Sequence, residues 1–213
     1  EIEQIGRQRR ARAERAHQAQ VAAQAQRLRQ LAHVARHGPL EQLRDLLQAT
    51  ETDVLRGEAG PTLLHAAAAR HPGHDSAVQV CRCLVEDVGV DPLARNLQHQ
   101  TALFTAACSG NSEVSSYLLQ RRCEVDCLDS QGRTALFAAA SAGHAGVVCI
   151  LLEAHADACR QDSLNQTALF FAACKSAECV TLLLDARAEA SATDNLGQSP
   201  LFYAAREGVD SAV

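Results

Sequence analysis

The side chains best suited to chemistry in this chain are its nine cysteines and nine histidines, because thiolate and imidazole are ligands that zinc prefers. They come closest together in residues 71–83, which hold His71, His74, Cys81 and Cys83. The two thiols of this group lie two residues apart on a predicted helix, so they point about 200° apart and cannot easily meet one ion. Cys123 and Cys127, in a predicted loop, have no His or Cys near in sequence to complete four ligands. The sequence therefore predicts no metal and no cofactor.

Motifs for catalysis are absent from the sequence. It contains no GxSxG, no P-loop, no HExxH and no GxGxxG. Its acids recur at one predicted turn position, as Asp129, Asp162 and Asp194 show, and its histidines are scattered through loops and polar faces. The sequence therefore predicts that this chain is not an enzyme.

Charge is distributed unevenly along the chain. Seven arginines against three glutamates leave residues 1–30 at a net +4, so the remainder carries −9 of the total −5. Residues 1–28 are rich in Arg, Ala and Gln, which predicts a basic helical extension. It could be a solvated helix, a strut that contacts a partner, or an arginine-rich contact to nucleic acid or an anionic surface. Nucleic acid is the least favoured partner, because the segment lacks interleaved aromatic residues.

One motif recurs along residues 29–213. Its copies align on a hydroxyl residue at successive intervals of 39, 33, 33 and 32 residues, at Thr62, Thr101, Thr134, Thr167 and Ser199. Most copies begin TALF or TLLH and continue with an alanine pair, a Gly and a Leu-Leu pair, and a diverged first copy begins near Arg29. A period near 33 with this pattern resembles the ankyrin repeat. The resemblance implies repeats near 29–61, 62–100, 101–133, 134–166 and 167–198, and a partial repeat at 199–213.

The sequence departs from the family's TPLH pattern in a consistent way. The Pro survives only at Pro200 and the His only at His65. Phenylalanine replaces that His in the other copies, at Phe104, Phe137, Phe170 and Phe202. We expect the phenylalanines to fill the space between repeats, while the alanine pairs let neighbouring inner helices approach closely.

The residues of one repeat predict its elements. Thr134 suits an N-cap, residues 135–142 favour a helix, and Gly143 stands where a left-handed C-cap is wanted. A second, apolar-faced helix is predicted near 146–154, and residues 129–132 and 194–197 predict type I turns at hairpin-like tips. Together these features predict an all-α, ankyrin-repeat solenoid of helix-turn-helix pairs, preceded by a basic N-terminal helix.

Cysteine positions and chain composition predict the compartment. Cys108 and Cys174 share one repeat position, while Cys149 and Cys179 fall in second helices, so we expect small core residues with reduced thiols. This favours an intracellular, reducing compartment, cytoplasm or nucleus. No apolar run approaches 18 residues, so no membrane span is predicted. The sequence has no Met and begins at Glu1, from which we expect it to be part of a longer chain or complex.

The resemblance implies a function as well as a fold. It implies a non-catalytic protein–protein interaction module that binds a polypeptide through a concave face built from tips and first helices. The alternative is a structural accessory subunit or domain of a large assembly, tethered by the basic helix, and a nucleic-acid contact through that helix is less favoured. The predicted partner-binding residues are Leu97, His99, Gln100, Ser130, Gln131, Arg133, Leu164, Asn165, Gln166, Leu196 and Gln198. They should form one continuous strip, because equivalent positions of stacked repeats align.

Overall fold

The structure is a computed structural model that describes residues 2–50, 59–70 and 77–208. The regular elements of this part of the chain are helices, as the sequence predicts. Their bounds are α1 Ile2–His37, α2 Leu40–Gln48, α3 Ala59–Ala68, α4 Ala77–Arg82, a π-helical turn Cys83–Asp87, α5 Ala102–Cys108, α6 Ser112–Gln120, α7 Ala135–Ala142, α8 Ala145–Glu153, α9 Ala168–Ala173, α10 Ala177–Asp185 and α11 Pro200–Glu207.

The helices pack in two rows. The inner row is formed by α1, α3, α5, α7, α9 and α11, and the outer row by α2, α4, α6, α8 and α10. Each inner helix contacts its neighbours along the inner row, and α4, α6, α8 and α10 contact one another in order along the outer row. One apolar cluster runs through the stack from Leu31 to Ala188. Because each pair contributes only part of this cluster, adjacent pairs must bury one another's apolar faces.

The alanine pairs lie where the inner helices meet, as predicted. Ala106, Ala107, Ala139 and Ala140 have no exposed surface. Phe137 and Phe170 are buried between repeats, as expected, and Phe137 packs on Phe171 with ring centroids 5.8 Å apart. The prediction is wrong for Phe202, which is 48% exposed, because the described part of the chain places nothing over its ring.

Helix ends in the central repeat agree with the sequence in all but one respect. Helix α7 spans the predicted residues, and Gly143 follows it with φ +75°, a conformation that glycine adopts without steric cost. Thr134 is the N-cap residue, as predicted, but its side chain makes no capping hydrogen bond, and its buried hydroxyl has no partner among the described residues. Thr167 behaves in the same way. Ser199, the equivalent residue of the last repeat, does cap its helix, and its hydroxyl oxygen accepts from the Phe202 amide at 3.3 Å.

Helix α1 joins the basic segment to the stack without a break, running through the expected boundary at residue 28. Residues 14–27 are exposed, whereas Leu31 and Ala35 are fully buried. The end of α1 is held by Arg70, whose guanidinium donates to the carbonyl oxygens of Ala35 at 2.9 Å and Gly38 at 2.7 Å. A buried arginine from the second repeat thus fastens the helix, and burial lowers the pKa of its guanidinium from the ordinary value.

The second repeat is irregular at both helices. Helix α3 begins at Ala59, three residues before the Thr62 that opens the motif. The outer helix α4 ends in a π-helical turn, which accommodates an extra residue within a helix. The 39-residue interval of this repeat exceeds the usual period by six residues, and the sequence predicts that most of the excess lies in the loop at 71–75. That loop lies outside the described residues.

Candidate partner-binding surface

In the described part of the chain, four tips precede inner helices, and one Asp or Asn side chain holds the turn of each. Its Oδ1 accepts from the backbone amides two and four residues later, as Asp129 does from Gln131 at 2.8 Å and Arg133 at 2.9 Å. The same pair of bonds is made by Asn96, Asp162 and Asp194. The recurring acids therefore hold turns, in agreement with the sequence-based interpretation that they are a structural repeat position.

A main-chain hydrogen bond closes each tip and its fourth residue has a positive φ. The amide of that residue donates to the carbonyl of the first, as predicted for 129–132 and 194–197. Gly132 and Gly197 adopt φ +76° and +72°. His99 and Asn165 adopt φ +60° at the same position, so two predicted binding residues are fixed in the left-handed region.

Neighbouring tips are joined to one another through the main chain. The Ser130 amide donates to Gln98 O at 3.0 Å, the Ser163 amide to Gln131 O at 3.0 Å and the Asn195 amide to Leu164 O at 3.1 Å. These bonds connect the four tips in one row. We call this row, from Asn96 to Gln198, the tip strip.

The predicted binding residues lie along the tip strip with different accessibilities. Leu97, Leu164 and Leu196 are 96%, 54% and 77% exposed. His99, Ser130, Gln131 and Asn165 are also exposed, and Gln100, Arg133 and Gln198 are half-buried. Gln166 is buried, so its side chain is not available for direct contact with a partner.

The three exposed leucines do not occupy equivalent positions. Leu164 and Leu196 are each the third residue of a tip, and the tips are linked by the bond to Leu164 O. Leu97 is the second residue of its tip, and Ser130 and Gln131 separate it from Leu164 along the strip. The apolar surface therefore consists of an adjacent pair and one isolated leucine.

The buried Gln166 belongs to a network between the last two tips. Its Nε2 donates to the Tyr203 hydroxyl at 2.9 Å, and that hydroxyl donates to Asp194 Oδ2 at 2.8 Å. Burial opposes ionisation of Asp194, but hydrogen bonds from the Gln198 amide and from Tyr203 lower the pKa of its carboxyl overall. Tyr203, which donates to that carboxylate, has a raised pKa. This network fixes the last tip on helix α11.

A groove of about 180 Å³ lies between the tip strip and the inner helices. Its rim includes the predicted residues Gln100, Gln131 and Arg133, and its walls are formed by Phe104, Phe137 and Phe171. The sequence did not single out Phe171. The sequence feature that could have pointed to it is the pair Phe170-Phe171, because the other TALF-type copies have one phenylalanine at this place.

A larger cavity of about 510 Å³ lies at the other end of the molecule. It is bounded by one face of α1, including Arg29 and His33, and by Leu46 of α2. No tip residue contributes to it. We therefore place the candidate surface at the tip strip and its groove.

Comparison with known proteins agrees with this architecture. A family model described as ankyrin repeats (3 copies) matches residues 31–126, 74–162 and 151–213. The chain belongs to the ankyrin-repeat family. No curated protein matches it significantly. The one TPLH-type histidine of this ankyrin stack, His65, contacts Pro61 O at 2.6 Å through Nδ1 and Gln100 O at 3.0 Å through Nε2, so it links its own helix to the next tip.

Neither a metal cluster nor a membrane-spanning helix is found in the described part of the ankyrin stack. Three His, Cys, Asp or Glu side chains do not come together there at ligand spacing. The helices of that part fall short of the length and apolar character needed to cross a bilayer. His71 and His74, half of the zinc arrangement weighed from the sequence, lie outside the described residues.

The cysteines divide into two groups, which corrects the expectation that they are small core residues. Cys81 and Cys179 are fully buried, and burial raises the pKa of the Cys81 thiol to about 12. Cys108 is exposed, and Cys149 and Cys174 are half-buried. Cys108 lines the groove, because its position at the end of the short helix α5 turns it away from the alanine contact.

Thiol labelling should separate these groups. In the native protein we expect rapid modification of the exposed Cys108 and Cys159, and slow modification of Cys81 and Cys179, because only an accessible thiolate reacts. In denaturant all nine thiols should react, and elemental analysis should find no stoichiometric zinc. Fewer than nine free thiols, or one zinc per chain that is lost in His74→Ala, would contradict this expectation.

Proposed function

We propose that this ankyrin stack is a non-catalytic interaction module that binds a polypeptide partner through its concave face, meaning the tip strip and the groove behind it. One observation carries the proposal: apolar Leu97, Leu164 and Leu196 are exposed on tips that are otherwise polar and held together by main-chain bonds. Exposed large apolar side chains that adjoin one another, as Leu164 and Leu196 do, are typical of interaction sites, and arginine is enriched among the residues that dominate binding energy. A row of tips with fixed backbones also loses little conformational entropy when a partner binds.

The exposed basic helix favours a second candidate function. Residues 14–27 of α1 are exposed, whereas the C-terminal end of the helix is fastened to the stack. Such a helix could tether the stack as an accessory domain of a large assembly, or contact nucleic acid. Exposed thiols at Cys108 and Cys159 favour a reducing, intracellular compartment for either role.

The test uses a displayed library of random dodecapeptides as the probe, selected on the full chain. Peptides selected in this way should bind the parent and lose at least about 2 kcal/mol of binding free energy, about thirtyfold in Kd, in the double variant Arg133→Glu with Leu164→Asp. The reason is that the double variant reverses the charge at the groove and places a carboxylate on the apolar tip pair. Both side chains lie outside the core cluster, so the thermal unfolding temperature should change little.

The control is a triple charge reversal at Arg9, Arg10 and Arg12 in the basic helix. We expect peptide binding to be unaffected by it. Normal binding by the double variant, with binding abolished by the triple reversal, would assign the function to the helix instead. Reversible, concentration-dependent binding supports the interaction module, whereas co-purification with a fixed stoichiometry through high salt supports the accessory subunit. A steep loss of affinity with salt supports nucleic acid.

A further inference from the structure

Arg133 has an unusual environment in the groove. Its guanidinium carbon lies over the Phe171 ring, 6.0 Å from the ring centre, at the distance within which a cation is attracted to the face of an aromatic ring. Its Nε is buried and finds no hydrogen-bond acceptor among the described residues. The ion pairs within the described ranges are made by Arg82, Arg121 and Arg206, not by Arg133. A half-buried cation in the binding surface is thus left without an anion.

The nearest carboxylate of the tip does not fill this role. Asp129 belongs to the same tip and also lines the groove. Its Oδ1 accepts from the backbone amides of Gln131 and Arg133, which fixes it as the turn-forming group. Among the described residues, the ion pairs within 4.0 Å do not include one between Asp129 and the Arg133 guanidinium. Burying a donor without an acceptor is unfavourable, and an incoming anion would remove this cost.

We propose that the groove receives an acidic side chain, Asp or Glu, from an extended segment of the partner, and that Arg133 pairs with its carboxylate. The proposal rests on the proposed function and names the chemistry of the partner. The planar guanidinium matches a carboxylate through two parallel hydrogen bonds, and a neighbouring ring orients it. Phe104, Phe137 and Phe171 then provide an apolar surface for the residues beside the acid.

Two features favour an internal acidic residue over other anions. The tip strip continues on both sides of the groove, towards Leu97 in one direction and towards Leu164 and Leu196 in the other, so a peptide can pass across it in extended form. Arg133 is also the one cation among the residues that line the groove. A single positive charge complements a carboxylate better than it complements a phosphate dianion.

The experiment examines sequences selected from the dodecapeptide library on the full chain. We expect Asp or Glu to be enriched at one internal position, flanked by apolar residues. Binding of a selected peptide should weaken at least tenfold in Arg133→Gln, and by the same factor when its acid is replaced with the amide. Applying both changes should weaken binding no further, because they remove the same pair. Arg133→Lys should recover only part of the affinity, since it keeps the charge but loses the planar fork.

Arg15→Gln is the matched control, because it removes the same charge from an exposed position on α1. It should bind like the parent, and the thermal unfolding temperature of Arg133→Gln should equal that of the parent. Two outcomes overturn the acidic-residue proposal and leave the proposed function standing. In the first, the selected peptides fail to bind Leu164→Asp but bind Arg133→Gln normally. In the second, the selected peptides share no acidic position. If amidation of the peptide's C-terminus abolishes binding, the carboxylate that Arg133 pairs with is the C-terminal one, and the proposed internal position is wrong. The proposed function itself is contradicted if the selection enriches no peptide, or if the binding of every enriched peptide is unchanged in both variants.

Discussion

Replacing Arg70 with methionine is expected to lower the free energy of unfolding by about 3 kcal/mol. Arg70 is 2% exposed, and its guanidinium donates to carbonyl oxygens of Ala35 and Gly38 at the end of α1. Methionine preserves much of the side-chain volume but leaves these carbonyls buried without donors. It also removes a positive charge from the negative end of the helix dipole. Urea unfolding followed by circular dichroism measures the change.

The loss should be local to the N-terminal end of the stack. Hydrogen exchange should become faster in α1, whereas α7 and α8 should keep their protection, because each repeat contacts only its neighbours. Arg36→Met is the matched control, since Arg36 is exposed on the same helix and its loss should cost less than about 1 kcal/mol. Equal stabilities for the two variants would show that the buried contacts do not fasten the helix.

Replacing Phe170 with alanine should lower the free energy of unfolding by about 3 to 5 kcal/mol, because it opens a cavity between two repeats. The ring is 2% exposed and meets the Tyr203 ring nearly edge-on, with centroids 5.6 Å apart. Loss of the ring also removes support from Tyr203, whose hydroxyl donates to Asp194. We therefore expect the Asp194 tip to be the first to lose protection in hydrogen exchange.

The chain provides its own control for this prediction. Phe202 occupies the same repeat position and is 48% exposed, so Phe202→Ala should cost less than about 1 kcal/mol in the same urea titration. The contrast between these two variants separates burial from repeat position. A similar loss in both would mean that the Phe202 ring is covered in solution.

Repeat periodicity explains why most of the fold could be predicted from the sequence. Each copy contains the same alanine pair and turn residues, so the positions of helices and turns can be compared between repeats. The bounds of α7 could be predicted correctly for this reason. The absence of a capping hydrogen bond from Thr134 and Thr167 could not be predicted in this way. Propensity tells which residue types cap helices. Whether the hydroxyl reaches a backbone amide depends on the backbone conformation with which the preceding tip enters the helix.

The candidate surface was predictable in position but not in detail. Sequence register places the tips, whereas the burial of Gln166 depends on Tyr203, 37 residues later in the chain. The cation–π contact of Arg133 with Phe171 likewise joins residues from two different repeats. Contacts of this kind arise from the packing of one inner helix on the next, which no local pattern encodes.

The main-chain bonds between tips have an evolutionary consequence. They join backbone groups of Ser130, Ser163 and Asn195 to the preceding tip, so they do not depend on which side chain stands there. Within each tip, the first residue is constrained by its turn bonds and the fourth by its positive φ. The side chains of the second and third residues carry no such constraint, so these positions can be substituted without disturbing the tip. Under the proposed function, exchange of residues such as Leu97, Leu164 and Leu196 would change the partner that the stack accepts, while the alanine and leucine positions of the core would keep their packing role.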